Sequence, residues 1–395
     1  MAKGIRQITK IIYFIESPFN QRDYERLGVE VFIKNGFEVY VWDFTPFLHP
    51  EVHRKVKVPD PITYEKYRQF LTKKEAVSAI LKESQGSFVV SYIGYRPKSF
   101  PIFKTLSKNG IPYSVFMANA LPSIARRLHP IDILKKILRA TPNKLINYVF
   151  ARIPYSYLGI RSARFNLAGG ELSTKYYKYP VGPKTETLWL HTLDYDIYLK
   201  ERNRLVQPKK NKGVFLDEYL PFHPDFLHQQ VSPPTMPEDY YPSLCRFFDF
   251  IEGNYGTDIV IAAHPSSRYE ELPDYFGGRP VIRGKTVQMV RESEFVIAHS
   301  STSLNFAVLF GKPAIFITTN KLHQSSHGPF IQLMASWFGK RPVNLDNSIK
   351  IDWDKELTVD EEAYAKYKNC YIKKNGSEEL PFWEIVSNKV QTLTY

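Results

Sequence analysis

The strongest constraint on the fold is a repeated pattern in which short apolar runs stop at small polar clusters. The clearest are Ile259–Ala263, closed by His264 and Pro265, and Phe295–Ala298, followed by His299, Ser300, Ser301, Thr302 and Ser303. Runs of this length are predicted to be buried strands, and stretches with helical spacing lie between them. That alternation predicts a parallel sheet flanked by helices, an α/β fold. Such sheets present binding groups at the carboxyl ends of their strands.

The same alternation fills the first half. Strands are expected at Ile11–Ile15, Val39–Trp42, Phe88–Ile93, Tyr113–Ala118, Arg164–Ala168 and Thr187–His191, with a helix from about Arg22 to Asn35 ending at Gly36. The highly charged stretch Lys200–Lys212 reads as an interdomain linker. A second α/β unit opens with Gly213–Tyr219, followed by a helix over Tyr240–Tyr255. We therefore expect a first domain over 1–200, a second over 213–378, and a helical segment over 379–395 returning to the first domain. A chain of 395 residues with 43% hydrophobic and 15% aromatic residues has the material for two such cores.

Cys245 and Cys370 form neither a CxxC nor a metal-ligand spacing, which fits a reducing compartment. The N-terminus has a basic start, but its apolar run is too short for a secretory signal. No window approaches the ~20 apolar residues of a membrane span. The expected location is cytoplasmic, with peripheral membrane contact open.

The polar clusters suit a phosphate-bearing ligand. Helix-start amides have no internal partner, and the hydroxyls of Ser300, Ser301, Thr302 and Ser303 can cap them or face an anion. An ordinary N-cap is the plainer reading. Pro265 stops its strand and holds His264 at the strand end, from which an imidazole can donate to phosphate or carry a proton. Arg268 is within reach of the same anion. His264 and the hydroxyl cluster are expected on neighbouring strands. Between them, Val281–Ile282 is strand-like, and Lys285 and Thr286 open a helix in a loop that can hold a base or ribose, or simply connect.

These residues resemble bacterial GT-B glycosyltransferases, in particular the sialyl-, polysialyl- and Kdo-transferases of capsule and lipopolysaccharide synthesis that carry an HP and a Ser/Thr motif. The resemblance implies two Rossmann-like domains with parallel sheets facing a cleft. It implies a nucleotide-sugar donor held by the second domain, usually CMP-linked, and no metal or further cofactor. His264 and Pro265 take the HP position and Ser300–Ser303 the Ser/Thr position, with His264 also assisting departure of the nucleotide. Gly311-Lys312-Pro313 recurs across GT-B proteins, including UDP-sugar 2-epimerases. The acidic residue of many UDP-sugar users is missing from Leu304, Asn305, Phe306 and Ala307. The match covers about sixty residues, and the rest is architecture alone.

An inverting transfer needs a base, usually a carboxylate in the cleft. Glu16, ending the first strand, and Asp23, at the following helix start, are the candidates. Asp23 also reads as an ordinary acid at a helix N-terminus, and Glu16 as a solvated loop residue. Asp194-Tyr195-Asp196 reads as a turn rather than a metal site. The net charge of +13 attracts anions. It is concentrated in Arg126–Arg164, with nine basic residues against Asp132 and with interleaved apolar positions. That segment suits an anionic membrane surface, as a lipid-linked acceptor would require, or a basic face toward an anionic glycan.

Two other enzyme readings stay open. A CDP-glycerol-type polyol-phosphate transferase would use a second histidine, for which His223 is available. A UDP-sugar 2-epimerase relative is disfavoured by the look of the first half. A basic nucleic-acid-binding protein is the non-enzymatic alternative, disfavoured by the absence of zinc spacing or a recognition-helix pattern.

Overall fold

The structure, a computed structural model, describes residues 7–58, 60–124, 142–175, 178–204, 211–229, 231–347 and 351–394. Its strands form two wholly parallel sheets. The first contains β1 (Lys10–Ile15), β2 (Glu38–Asp43), β3 (Tyr67–Gln69), β4 (Ser87–Ser91), β5 (Tyr113–Phe116), β6 (Phe165–Ala168) and β7 (Glu186–Trp189), in the order β3-β2-β1-β4-β5-β6-β7. The second contains β8 (Lys212–Leu216), β9 (Asp258–Ala263), β10 (Val281–Arg283), β11 (Phe295–Ala298), β12 (Ala314–Thr318) and β13 (Val343–Asn344), in the order β10-β9-β8-β11-β12-β13.

Both orders reverse direction beside their first strand, as in doubly wound nucleotide-binding folds. The reversals fall between β1 and β4 and between β8 and β11, where crevices open at the carboxyl ends. Successive residues of a strand feed opposite layers. Ile11 and Tyr13 pack into one core and Ile12 and Phe14 into another, while Val214 and Leu216 are separated in the same way from Phe215. This two-sided burial is why the strands read as continuous apolar runs.

The structure corrects three expectations. The helix expected over Arg22–Asn35 is two helices, Gln21–Arg26 and Val29–Lys34, broken at Gly28 with φ +62°. The break admits Trp383, whose indole N–H donates to the Arg26 carbonyl at 2.7 Å. Two edge strands, β3 and β13, were not anticipated, because each is too short and too exposed to leave an apolar run. Finally, β9 and β11 are not neighbours, since β8 lies between them.

The Phe382–Gln391 helix packs on the Val29–Lys34 helix of the first half. The Leu193–Glu201 helix packs against the Thr286–Glu292 and Leu304–Leu309 helices of the second. Asp194, at its start, accepts from Arg26 at 3.0 Å and from Asn305 at 3.1 Å, so it ties the halves together. The expected linker overlaps the end of this helix and the start of β8, and its residues 205–210 lie outside the described residues. Residues 125–141, with five of the nine basic residues of Arg126–Arg164, lie outside them too. No helix among the described residues is long and apolar enough to cross a membrane.

Candidate active site

β8 is followed by Asp217 and Glu218, and these two carboxyl groups organise the second crevice. Asp217 Oδ2 accepts from the His264 backbone N–H at 3.2 Å and the Tyr269 hydroxyl at 3.0 Å. Glu218 reaches the other way and accepts from the Ser300 N–H at 2.6 Å and the Ser300 hydroxyl at 3.2 Å. Tyr219 follows at φ +53°, a left-handed conformation uncommon for a bulky residue, with its N–H bonded to Asp217 Oδ1 at 2.9 Å. Strained backbone of this kind clusters at functional sites. Burial pushes Asp217 up to about 6 and Glu218 up to about 7, against the hydrogen bonds each accepts.

His264 thus joins the hydroxyl cluster through β8 rather than across a shared strand edge. The cluster is also less open than expected. Both Ser300 donors are committed to Glu218, Ser301 Oγ accepts from the Ser303 N–H at 3.2 Å, and Ser303 caps the Leu304–Leu309 helix without a side-chain bond. Thr302 is exposed.

The open donors lie on the His264 side. His264 Nδ1 accepts from the Ser266 N–H at 3.1 Å, an arrangement fixed by the turn at Pro265. His223, in the loop after β8, repeats it by accepting from the Asp225 N–H at 3.1 Å. A neutral imidazole that accepts at Nδ1 carries its proton on Nε2. The two Nε2 atoms lie 3.3 Å apart, so two N–H donors face each other. An anionic oxygen in front of both relieves that opposition. Burial, then His223 and Arg22, push His264 down to about 3, and burial also lowers His223. Both are neutral donors at physiological pH, and His264 is not a proton carrier there. The Leu-Pro-Phe-His-Pro-Asp stretch, a second His-Pro, was the available signal for His223.

Arg268 pairs with Glu271. Lys285 is exposed and Thr286 half-buried beyond the end of β10, on the open edge beside β9.

Across the cleft, Glu16 accepts from the Gly94 N–H at 3.1 Å and pairs with His49 at 3.0 Å. Burial pushes its carboxyl up, but the bonds from His49 and Gly94 and the charge of Arg96 outweigh this and hold it below its ordinary range. A cavity of about 230 Å³ lies here, lined from the first half by Glu16, His49, Arg96, Lys98 and Asn147 and from the second by Leu227. Asp23 differs from Glu16. Burial raises its pKa, only partly countered by Arg22, Arg26 and a hydrogen bond from the Asn20 backbone N–H to its carboxylate. The neighbouring Arg22 makes no ion pair among the described residues. Crowding by the cleft walls and by Arg26 lowers it to about 10, and its charge is felt at His264. Asp23 thus lies beside an arginine whose charge reaches His264, while Glu16 is tied into its own wall. No group of three or more His, Cys, Asp or Glu side chains with metal-holding geometry occurs among the described residues.

No protein-family profile matches the chain, and no curated protein does. Among solved structures it is similar to CalG4, the calicheamicin glycosyltransferase, with a TM-score of 0.51 and 10% identity over 98% of each chain. It is similar also to a protein from Listeria monocytogenes assigned provisionally as a UDP-N-acetylglucosamine 2-epimerase, with a TM-score of 0.50 and 12% identity over 97% of this chain and 96% of that one. The two parallel-sheet domains are the GT-B fold. The second likeness runs through the first half as well, so the shape of that half does not separate an epimerase from a transferase.

Proposed function

We propose that the protein transfers a group from a nucleotide-activated donor to a glycan or lipid-linked acceptor, with a CMP-linked ulosonic acid as the favoured donor. The observation carrying this reading is the pair of Nε2–H donors on His223 and His264, aimed at one point beside the β8–β11 crevice. A sugar leaves its nucleotide as a phosphate oxygen takes the bonding electrons. Two neutral donors held by backbone amides stabilise that charge without reorganising. Asp23, buried beside Arg22, takes the proton from the acceptor hydroxyl as the new glycosidic bond forms. Glu16, held ionised by His49, Arg96 and Gly94, shapes the acceptor side.

The second histidine specifically favours one alternative, polyol-phosphate transfer from a CDP-linked donor. There the bond broken lies within the pyrophosphate, and paired donors suit its bridging or terminal oxygens. Both readings release CMP, so the fate of phosphorus separates them.

The test begins with thermal shift against CMP, CDP, UDP and AMP, since a ligand of the native state raises its apparent stability. Cytidine-selective stabilisation is expected. CMP-sialic acid, CMP-Kdo and CDP-glycerol labelled at the phosphate attached to glycerol are then offered with acceptor. Label carried into product identifies phosphate transfer, and label-free product from a CMP-sugar identifies glycosyl transfer. Stabilisation by UDP alone rejects both cytidine readings and supports the epimerase-like one, and no response to any nucleotide rejects the site.

A further inference from the structure

A second cavity, of about 340 Å³, opens in the first half away from the histidine pair. Its size falls within the ~300–1,000 Å³ of small-molecule sites. The Pro142–Phe150 helix and the turn after it form one wall, through Phe150, Arg152 and Tyr155, and Tyr95 and Lys178 complete it. Asn166 of β6 also lines it.

Three features of this lining define a ligand. First, Asn166 is 1% exposed and its Oδ1 accepts no hydrogen bond, while the buried Tyr95 hydroxyl also has no partner. Buried polar atoms of native proteins are almost always satisfied, and the exceptions call for an explanation. Here both border an open cavity, and a hydroxyl-bearing guest supplies the missing bonds. Second, the walls are aromatic, and Tyr95 and Phe150 lie 5.0 Å apart between centroids. Flat apolar faces beside polar atoms fit the two-sided character of a sugar ring. Third, among the described residues Arg152 and Lys178 hydrogen-bond only to the main-chain carbonyls of Tyr148 and Ala151, at 2.9 and 3.0 Å, and no carboxylate lines the cavity. An acyl chain would leave Asn166 and Tyr95 unsatisfied and the two cations idle.

We propose that this cavity is a carbohydrate subsite for a negatively charged sugar unit of the acceptor chain, separate from the transfer point. The identification of its guest as acceptor rests on the function proposed above. The Pro142–Phe150 helix links the two places, since Asn147 faces the Glu16 cavity and Phe150 faces this one. A glycan crossing that helix spans both.

The experiment titrates the full chain with an oligogalacturonate tetramer, an α2,8-linked sialic acid tetramer and neutral maltotetraose, by calorimetry. The CMP, CDP and UDP responses are measured on the same samples. The variants are the exposed pair R152E/K178E and, separately, N166L. At least one acidic tetramer is expected to bind ~10-fold or more tightly than maltotetraose, and R152E/K178E to weaken it by about the same factor, as loss of charge-assisted bonds implies. Nucleotide responses should not change in R152E/K178E. N166L should weaken the acidic tetramer too, and if it fails to fold the charge-reversal pair still decides. The subsite is overturned if no acidic tetramer binds, if maltotetraose binds equally well, or if R152E/K178E binds unchanged. Failure of tetramer binding with intact nucleotide binding removes the subsite alone. Tetramer binding without any nucleotide response keeps the subsite and removes the transferase reading.

Discussion

Glu16 and Glu218 hold equivalent positions in the two halves. Each follows the first strand of its sheet, and each carboxylate accepts the backbone N–H beyond the strand on the far side of the topological switch, Gly94 at 3.1 Å and Ser300 at 2.6 Å. The environments then pull them apart. Glu16 has His49 and Arg96 beside it and is held ionised, whereas Glu218 is buried next to Asp217 and pushed up to about 7 from an ordinary value of 4.5. A carboxyl whose folded-state pKa is raised favours folding fully below its unfolded value. That contribution is lost as pH rises through the folded value. Wild-type stability should therefore fall between pH 5 and 8 through Glu218. Glu218→Gln keeps an acceptor for the Ser300 N–H but cannot ionise, so its Tm should fall less over that interval. The difference is expected to be a few kcal/mol at most. Parallel Tm–pH curves for the two proteins would remove Glu218 as the titrating group.

Asp23 offers a kinetic prediction. If it takes the acceptor proton, Asp23→Asn should lower kcat by ~10²–10⁴-fold, the range for loss of a positioned base, and leave nucleotide-induced stabilisation intact. Its pKa is raised by burial, so the wild-type rate should fall as pH drops through that raised value. Glu16→Gln should instead disturb the packing of His49 and Gly94 and act mainly on acceptor KM. A kcat loss confined to Glu16→Gln would exchange the two roles.

The strands were legible because parallel sheets buried on both faces leave unbroken apolar runs, as in Ile259–Ala263. His264 was legible through Pro265, which marks the strand end. The order of strands was not. In a parallel sheet every connection is a long crossover, and nothing local in Ile259–Ala263 or Phe295–Ala298 says that β8 runs between them. Hence the claim of Glu218 on both Ser300 donors was hidden, and so was the place of Asp217 and Glu218 as the clamp between two motifs. The donor pair was half-visible in the same way, since His223 repeats the His-Pro pattern but its approach to His264 depends on that same strand order. Charge spacing at Arg268 likewise gave no hint that Glu271 would take it.

Gly28 illustrates the same lesson energetically. Its helix break was invisible because the cause, Trp383, comes from the far end of the chain. A Cβ at Gly28 would lie 2.3 Å from Trp383 Cδ1, in a backbone conformation of φ +62°. Gly28→Ala should therefore cost the left-handed penalty of about 1–2 kcal/mol and a comparable overpacking cost. Displacement of an indole that packs 5.6 Å from Tyr13 should alter tryptophan emission. A Tm within a degree of wild type would show that Trp383 of the final helix does not pack against Gly28.

The histidine pair makes a prediction that separates donation from packing. Gln can present an N–H near the position of an imidazole Nε2, whereas Ala cannot. His264→Ala should weaken CMP by ~10–100-fold, the range for a hydrogen bond to a charged group, and His264→Gln by less. His223→Ala should act in the same direction. Because both donors address one oxygen, the double variant should lose less than the two single losses combined, a coupling read from a double-mutant cycle. Because each imidazole is neutral, with His264 down at about 3, CMP affinity should not decline as pH rises from 6 to 8 through loss of a histidine proton. Additive losses would place the two imidazoles on different ligand atoms, and steep weakening over that pH range would show that a charged imidazolium, rather than a pair of neutral donors, holds the phosphate.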